Sequence, residues 1–363
     1  MTVAKAIMLM MICLASACTS SKEPQPITKP QHTSISLDLG QNLDLSNNTI
    51  YCASFQMAWN SMRDEIIKGD IILENDGLLA KRLNRQSLDK NDLSRGSYVA
   101  VAGELTKELV SQTKNQLNEK FGDNATRDFN IPKFGDTGRQ LVAYAFLYKN
   151  LEFPFEFEKL DQPITYAASG QEAQVKGFGV SSFSSSKRQH QKLSNQVAIF
   201  DYKNENNFII SLRTKLDDDQ VILAKITPKS NLLQTYTEVM DRIRQIEASL
   251  LRDEETIRVP IINFEMIRNF SELENKRIMN KGWEGWYLAK AIQDVKFKLD
   301  EKGAVLKSSG FLSAMKEEVP PSMEKPRKFI FDKPFLILLK QKTGNYPYFA
   351  MWVSDPELFI RQQ

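Results

Sequence analysis

The chain has 363 residues, is 42% hydrophobic and 26% charged, and carries a net charge of +3 that falls by one if Lys5 leaves with a leader. This is globular composition, long enough for one large domain or two modest ones. The near balance of charge argues against a nucleic-acid partner or a charge-held membrane surface, and no apolar run beyond the N-terminus is long enough to span a bilayer.

The N-terminus reads MTVAKAIMLMMICLASACTSSKEP. Lys5, the apolar run from Ala6 to Ala17 and the small residues after it have the pattern of a secretory leader over residues 1–17. Leu14-Ala15-Ser16-Ala17-Cys18 resembles a bacterial lipobox, which would make Cys18 a lipidated N-terminus. Its leucine sits one place further out than usual. Ala15-Ser16-Ala17 also satisfies the small-x-small rule for ordinary cleavage, so simple secretion stays open. If Cys18 is lipidated, Thr19 where aspartate would retain the protein favours the outer membrane. Of three cysteines, Cys13 lies in the leader and Cys18 is the candidate lipid site. Cys52 alone remains, and its apolar flanks predict a buried, inert thiol. Residues 18–36 are expected to form a polar, disordered tether, with residues 37–363 as the folded domain.

Within that domain, Asn48 to Ile67 opens on a short apolar run and continues at helical spacing (Phe55, Trp59, Met62, Ile66). Leu105 to Phe121 repeats that spacing. Leu141 to Tyr148 is continuously apolar and suits a strand buried on both faces. Gln196 to Tyr202 and Phe208 to Arg213 read as a hairpin. Asn231 to Leu251 predicts one amphipathic helix. Strands follow at Val259–Phe264, Gln293–Leu299, Phe335–Lys340 and Tyr348–Val353. Helices early and strands late, without βαβ alternation, give an α+β class.

Catalytic chemistry is sparse. There are two histidines: His32 in the tether and His190 in a polar stretch expected at the surface. That argues against a histidine metal site and leaves a single histidine base. No nucleophile elbow or phosphate-binding glycine loop occurs, Gly177-Phe178-Gly179 is a weak glycine pair, and Asp217-Asp218-Asp219 reads as a solvated turn. Neither an enzyme nor a cofactor is expected.

Six stretches carry a resemblance. WYLAKAIQDVKFKLDEKG at 286–303 is similar to the strand and hinge that precede the reactive loop of serpins. FDKPF at 331–335 and LILLKQKTGNYPYFAMWVSDP at 336–356 resemble the C-terminal hairpin of that family. LVAYAFLYKNLEFPF at 141–155 resembles its central-sheet strand, and VAIFDY at 197–202 and VPIINF at 259–264 two further strands. The resemblance implies one domain of three sheets ringed by helices, with an exposed loop that serves as bait. A serine or cysteine protease cleaves the loop, which then inserts into the central sheet. It implies a monomeric partner of a protease, not an enzyme.

The hinge comprises Glu301, Gly303, Ala304 and Leu306. Counting from Ala304, one strand face carries Ala304, Leu306, Ser308, Gly310 and Leu312 and is uncharged; the other carries Val305, Lys307, Ser309 and Phe311. The family's spacing places the attacked bond near Lys316, Glu317 and Glu318. Lys316 suits a trypsin-like enzyme and Glu317 a glutamate-specific one. Val305-Leu306-Lys307 interrupts the small residues that inhibitors carry there. The family's polar gate over the central sheet would fall on Ala143, Gln293 and Cys52 or Phe55, an apolar set apart from Gln293. Two expectations follow: a protease inhibitor at the cell envelope or outside the cell, and a non-inhibitory binding or structural lipoprotein on the same scaffold.

Overall fold

The structure is a computed structural model. It describes residues 26–304 and 325–362, apart from 76, 86–87, 89–90, 94, 123–124, 126–128, 130–138, 149–150, 169, 182–186 and 216–217. The class is α+β, with three principal sheets.

The largest sheet has eight strands, in the order Thr33–Ser36, Asn48–Cys52, Phe349–Val353, Phe335–Gln341, Asp219–Lys225, Asn207–Leu212, Val197–Asn204 and Ser249–Leu250. Its middle strands are apolar on both faces: Ile222, Leu223, Leu336, Ile337 and Leu338 are all buried. A four-stranded sheet holds Lys328–Ile330, Thr256–Pro260, Gly177–Val180 and Glu158–Lys159. The glycine pair noted in the sequence is structural, because a Cβ on Gly179 would strike the Ile257 carbonyl of the neighbouring strand.

The central sheet orders Ile262–Asn269, Tyr287–Leu299, Gln140–Tyr148 and Tyr98–Glu104, with Lys276–Arg277 pairing beside them. Its inner face (Ala143, Ala145, Leu147, Val295, Phe297) joins the main core together with the helix Ser54–Ser61. Its outer face buries Val99, Tyr144, Phe146 and Ile292 with Leu117 of the helix Lys107–Phe121. Thr106 caps that helix by accepting from Leu109 N–H.

Several expectations change. The tether is ordered from its middle onward: Thr33–Ser36 pairs in parallel with the strand Asn48–Cys52, from Thr33↔Asn48 to Ser36↔Tyr51. Glu357 holds that arm, accepting from the Gln31 N–H at 2.7 Å and the His32 N–H at 2.8 Å. A polar segment needs no apolar face when an unpaired strand edge supplies its backbone partners. The helix begun at Leu232 ends at Gln245; Ile246 is already extended, and Ser249–Leu250 pairs with Ala198 and Ile199. Val259–Phe264 is two strands in two sheets, divided after Pro260. Tyr98–Glu104, rich in Ala and Gly, and Asp219–Lys225 were not legible as strands.

Candidate functional site: the loop hinge and the central seam

The strand Tyr287–Leu299 is thirteen residues long. It lies parallel to Gln140–Tyr148, from Tyr287 opposite Gln140 to Lys296 opposite Tyr148, with a bulge between Leu288 and Lys290. These two strands are hydrogen-bonded directly to each other, so no strand stands between them. This parallel seam ends at the hinge.

Beyond Leu299 the chain reverses in a two-residue turn. Asp300 and Gly303 exchange backbone bonds of 3.0 and 3.2 Å, and Asp300 Oδ1 accepts from Lys302 N–H at 3.0 Å. Gly303 and Ala304 then run antiparallel to Glu152 and Leu151, the first described residues after the seam strand Gln140–Tyr148. Gly303 is thus flanked by Asp300 on one side and Glu152 on the other. The first two residues of the loop are seated at the mouth of the seam.

Glycine is required at this point. Gly303 has φ +139°, and a Cβ there would lie 2.6 Å from Glu152 Cα and closer still to the Leu151 carbonyl oxygen. Glu301 is buried; its carbonyl accepts from Phe157 N–H at 2.8 Å and its carboxylate meets Lys159 Nζ at 3.1 Å. The Lys302 carbonyl accepts from Phe153 N–H at 2.9 Å. The structure therefore brings Glu301, Gly303 and the Ala304 backbone together as one hinge. Leu306, Lys316, Glu317, Glu318 and Cys18 lie outside the described residues.

The far end of the loop is held by charge. Glu255 is fully buried and takes a two-pronged contact from Arg327, with Nε at 2.6 Å and Nη2 at 3.0 Å, and a further bond from Arg252 Nε at 2.8 Å. Burial pushes the Glu255 carboxyl up, but the hydrogen bonds and charges of Arg327 and Arg252 outweigh it and leave it below the ordinary value. Next to it, Lys328–Ile330 pairs with Thr256–Arg258. Nothing in local sequence marks the Arg327 half of this clasp, since Arg327 and Glu255 are 72 residues apart.

Behind the seam, Gln293 points inward and is fully buried. Its Nε2 donates to the Cys52 carbonyl at 2.9 Å and to Ser54 Oγ at 3.1 Å, and Ser54 Oγ lies 3.2 Å from Cys52 Sγ. The apolar gate expected from Ala143, Cys52 and Phe55 is therefore corrected. Ala143 and Phe55 are buried apolar groups, but Ser54, which the sequence reading passed over, makes a small polar cluster with Gln293. Its signal was its place one residue after Ala53, where a helix begins. Gln293 Oε1 is buried without a hydrogen-bond partner. Burial pushes the Cys52 thiol up to about 11, against the Ser54 and Gln293 hydrogen bonds, and the thiol is buried as its apolar flanks predict.

His190 is a second correction. It is buried on the helix Lys187–Ser194, with Nδ1 3.3 Å from the Ser181 carbonyl and Nε2 3.4 Å from the Arg252 carbonyl. It packs beside Leu193 and Ser194 at i+3 and i+4, so a polar-looking segment folds one face inward. No group of three or more His, Cys, Asp or Glu suited to a metal occurs among the described residues.

Comparison with known proteins agrees with this geometry. The model of the serpin (serine protease inhibitor) family matches residues 103–356. Among solved structures, a serpin from the trematode Schistosoma haematobium aligns with TM-score 0.52 at 11% identity, covering 85% of this chain and 94% of that one. Native protease nexin-1 with heparin aligns at 0.50 and 14% identity, covering 85% and 92%. Thyroxine-binding globulin in complex with thyroxine aligns at 0.48 and 10% identity, covering 85% and 93%. Among curated proteins none matches the chain. At these identities the first two of these structures speak for the fold alone. The family match spans more than two thirds of the sequence, the chain belongs to the serpin family, and serpins are in general inhibitors of proteases and not enzymes.

Proposed function

We propose that this serpin is a monomeric inhibitor of serine or cysteine endopeptidases, exported and anchored in the cell envelope through a lipid on Cys18. The observation that carries the inhibitory reading is the hinge seated at the mouth of the seam. Gly303 and Ala304 already run antiparallel between the end of one seam strand and the continuation of the other. If a protease cuts near Lys316, Glu317 or Glu318, the freed segment can extend from Ala304 between Gln140–Tyr148 and Tyr287–Leu299. One parallel ladder is then replaced by two antiparallel ladders. The added backbone bonds, and the burial of Leu306 and Leu312, drive the change. The uncut state is a kinetic trap that cleavage releases.

The test is thermal stability before and after limited cleavage within residues 305–324. A large rise in melting temperature, together with a detergent-stable complex with a trypsin-like or glutamate-specific enzyme, is the expected result. An unchanged melting temperature after cleavage rejects insertion. In that event the second reading, a non-inhibitory binding lipoprotein on a serpin scaffold, takes its place. The observation favouring it is the Gln293 clasp, which ties the seam strand to Cys52 and Ser54 from behind and holds the sheet closed.

A further inference from the structure

We infer that the outer edge of the central sheet pairs with the same edge of a second copy of this chain, two-fold and antiparallel, giving a reversible dimer. The inhibition proposed above belongs to the single chain, so the monomer is the dilute state of the protein and the dimer its concentrated one.

The edge is the strand Tyr98–Glu104, which pairs with Gln140–Tyr148 on one side and with no strand of the described residues on the other. Its outward groups follow from alternation. Leu105 N–H donates to the Gln140 carbonyl at 2.8 Å, so residues 103, 101 and 99 turn their backbone groups toward the neighbour, while 104, 102, 100 and 98 turn theirs away. The two ends of the edge are occupied: Lys120 Nζ donates to the Tyr98 carbonyl at 2.9 Å, and Thr106 N–H to the Glu104 carbonyl at 2.8 Å. Between them the outward N–H and C=O groups of Ala100 and Ala102 meet no partner among the described residues. Natural edges are guarded by a proline, a bulge or a charge. From Val99 to Gly103 this one has none of these, and its register with Gln140–Tyr148 is unbroken. Its small side chains leave the backbone within reach of another strand.

The edge itself identifies its occupant. Centred on Val101, an antiparallel copy sets Ala100 opposite Ala102 on both sides of the axis. Each such pair exchanges N–H···O bonds in both directions, which satisfies the open groups. Val101 meets Val101 of the second copy at the axis, a non-hydrogen-bonded position where side chains approach most closely. Tyr98 falls opposite Glu104. That sets the exposed Glu104 carboxylate beside the Lys120 ammonium, which its bond to the Tyr98 carbonyl holds at that end. Symmetry repeats the pair at the other end, so charge selects the antiparallel arrangement; in a parallel one like charges would meet. The contact is isologous and closed: each copy spends its edge, and association stops at two. An edge of seven residues falls well below a standard interface of about 1,600 Å², so the dimer is weak.

Sedimentation velocity of the purified protein from about 1 to about 200 µM reads the association, and hydrogen exchange at the two ends of that range reads its place. The expected result is a shift from monomer to dimer. The Ala100 and Ala102 amides should exchange several-fold more slowly in the concentrated sample, while the Val101 amide, bonded inside the sheet, keeps its rate. Ala102→Pro removes an outward N–H without touching the ladder to Gln140–Tyr148, so it should melt near the parent and stay monomeric. Glu104→Lys should weaken association about ten-fold, and adding Lys120→Glu to it should restore the dimer. A monomer at every concentration overturns the inference. So does a dimer that survives Ala102→Pro, since it would use another surface. Ala100 and Ala102 amides that are equally protected in the dilute sample also overturn it, since the edge would then be covered within one chain.

Discussion

Gly303→Ala tests the seated hinge most directly. The added methyl would lie 2.6 Å from Glu152 Cα and 2.9 Å from the Leu151 carbonyl carbon, both backbone atoms that cannot rotate aside. At φ +139° a residue with a Cβ is also strained, by about 1–3 kcal/mol. The chain has one cheaper course, which is to lift the hinge off. Doing so gives up the two Asp300–Gly303 bonds and the bonds from Phe153 and Phe157 to the hinge carbonyls, each worth about 1 kcal/mol net. The lesser of strain and release puts the loss at roughly 2–4 kcal/mol. With an unfolding entropy of about 2.1 cal/mol/K per residue over the roughly 290 described residues, the melting temperature falls by about 3–7 °C. Calorimetry of the uncut protein measures that fall. Hydrogen exchange at the Phe153 and Phe157 amides measures the release itself, since their acceptors are the Lys302 and Glu301 carbonyls. A variant that melts within about 1 °C of the parent and keeps both amides protected would refute the reasoning, because neither strain nor release would then have occurred.

The remaining predictions concern the supports of the site. Cys52 should stay unreactive to Ellman's reagent at pH 8 in the folded protein and react fully in denaturant, because burial pushes the thiol up to about 11; rapid native-state labelling would contradict this. The Glu255 carboxyl is held below its ordinary value of 4.5, so its stabilising effect is present above that pH and is lost as pH falls through the folded value. Glu255→Gln should accordingly lower the urea midpoint at pH 7 and flatten its decline below about pH 4.5, and an unchanged slope would show that the clasp does not titrate with folding. Gln293→Leu removes the donor to Cys52 and Ser54 together with an unpartnered buried oxygen, so stability should change by less than about 1.5 kcal/mol while post-cleavage stabilisation, followed by melting, sets in faster. Deleting residues 1–36 uncovers the edge strand Asn48–Cys52 and should produce concentration-dependent association in sedimentation runs; a monomer at all concentrations would count against the arm as an edge cover.

By itself the sequence determined the elements whose burial is written in their own spacing. Leu141 to Leu147 is apolar at every step and lies buried on both faces of the central sheet. The hairpin around Glu205-Asn206, the helices from Ser54 and Lys107, and the thiol of Cys52 were legible for the same reason: side-chain period and flanking residues report local exposure. Even the hinge could be placed, since Asp300 to Gly303 combines turn residues with the end of an alternating strand. The tertiary structure alone decided what those elements meet. It put Gly303 against Leu151 and Glu152, Arg327 on Glu255, Gln293 on Ser54, and Ile27 on the edge beside the hinge. It also turned His190 inward and ended the helix from Leu232 at Gln245, where Ser249 and Leu250 found a strand edge to join. Each is a pairing between residues far apart in the chain. Such contacts depend on which edges and buried charges remain unpartnered once the rest has packed, and no local pattern encodes that.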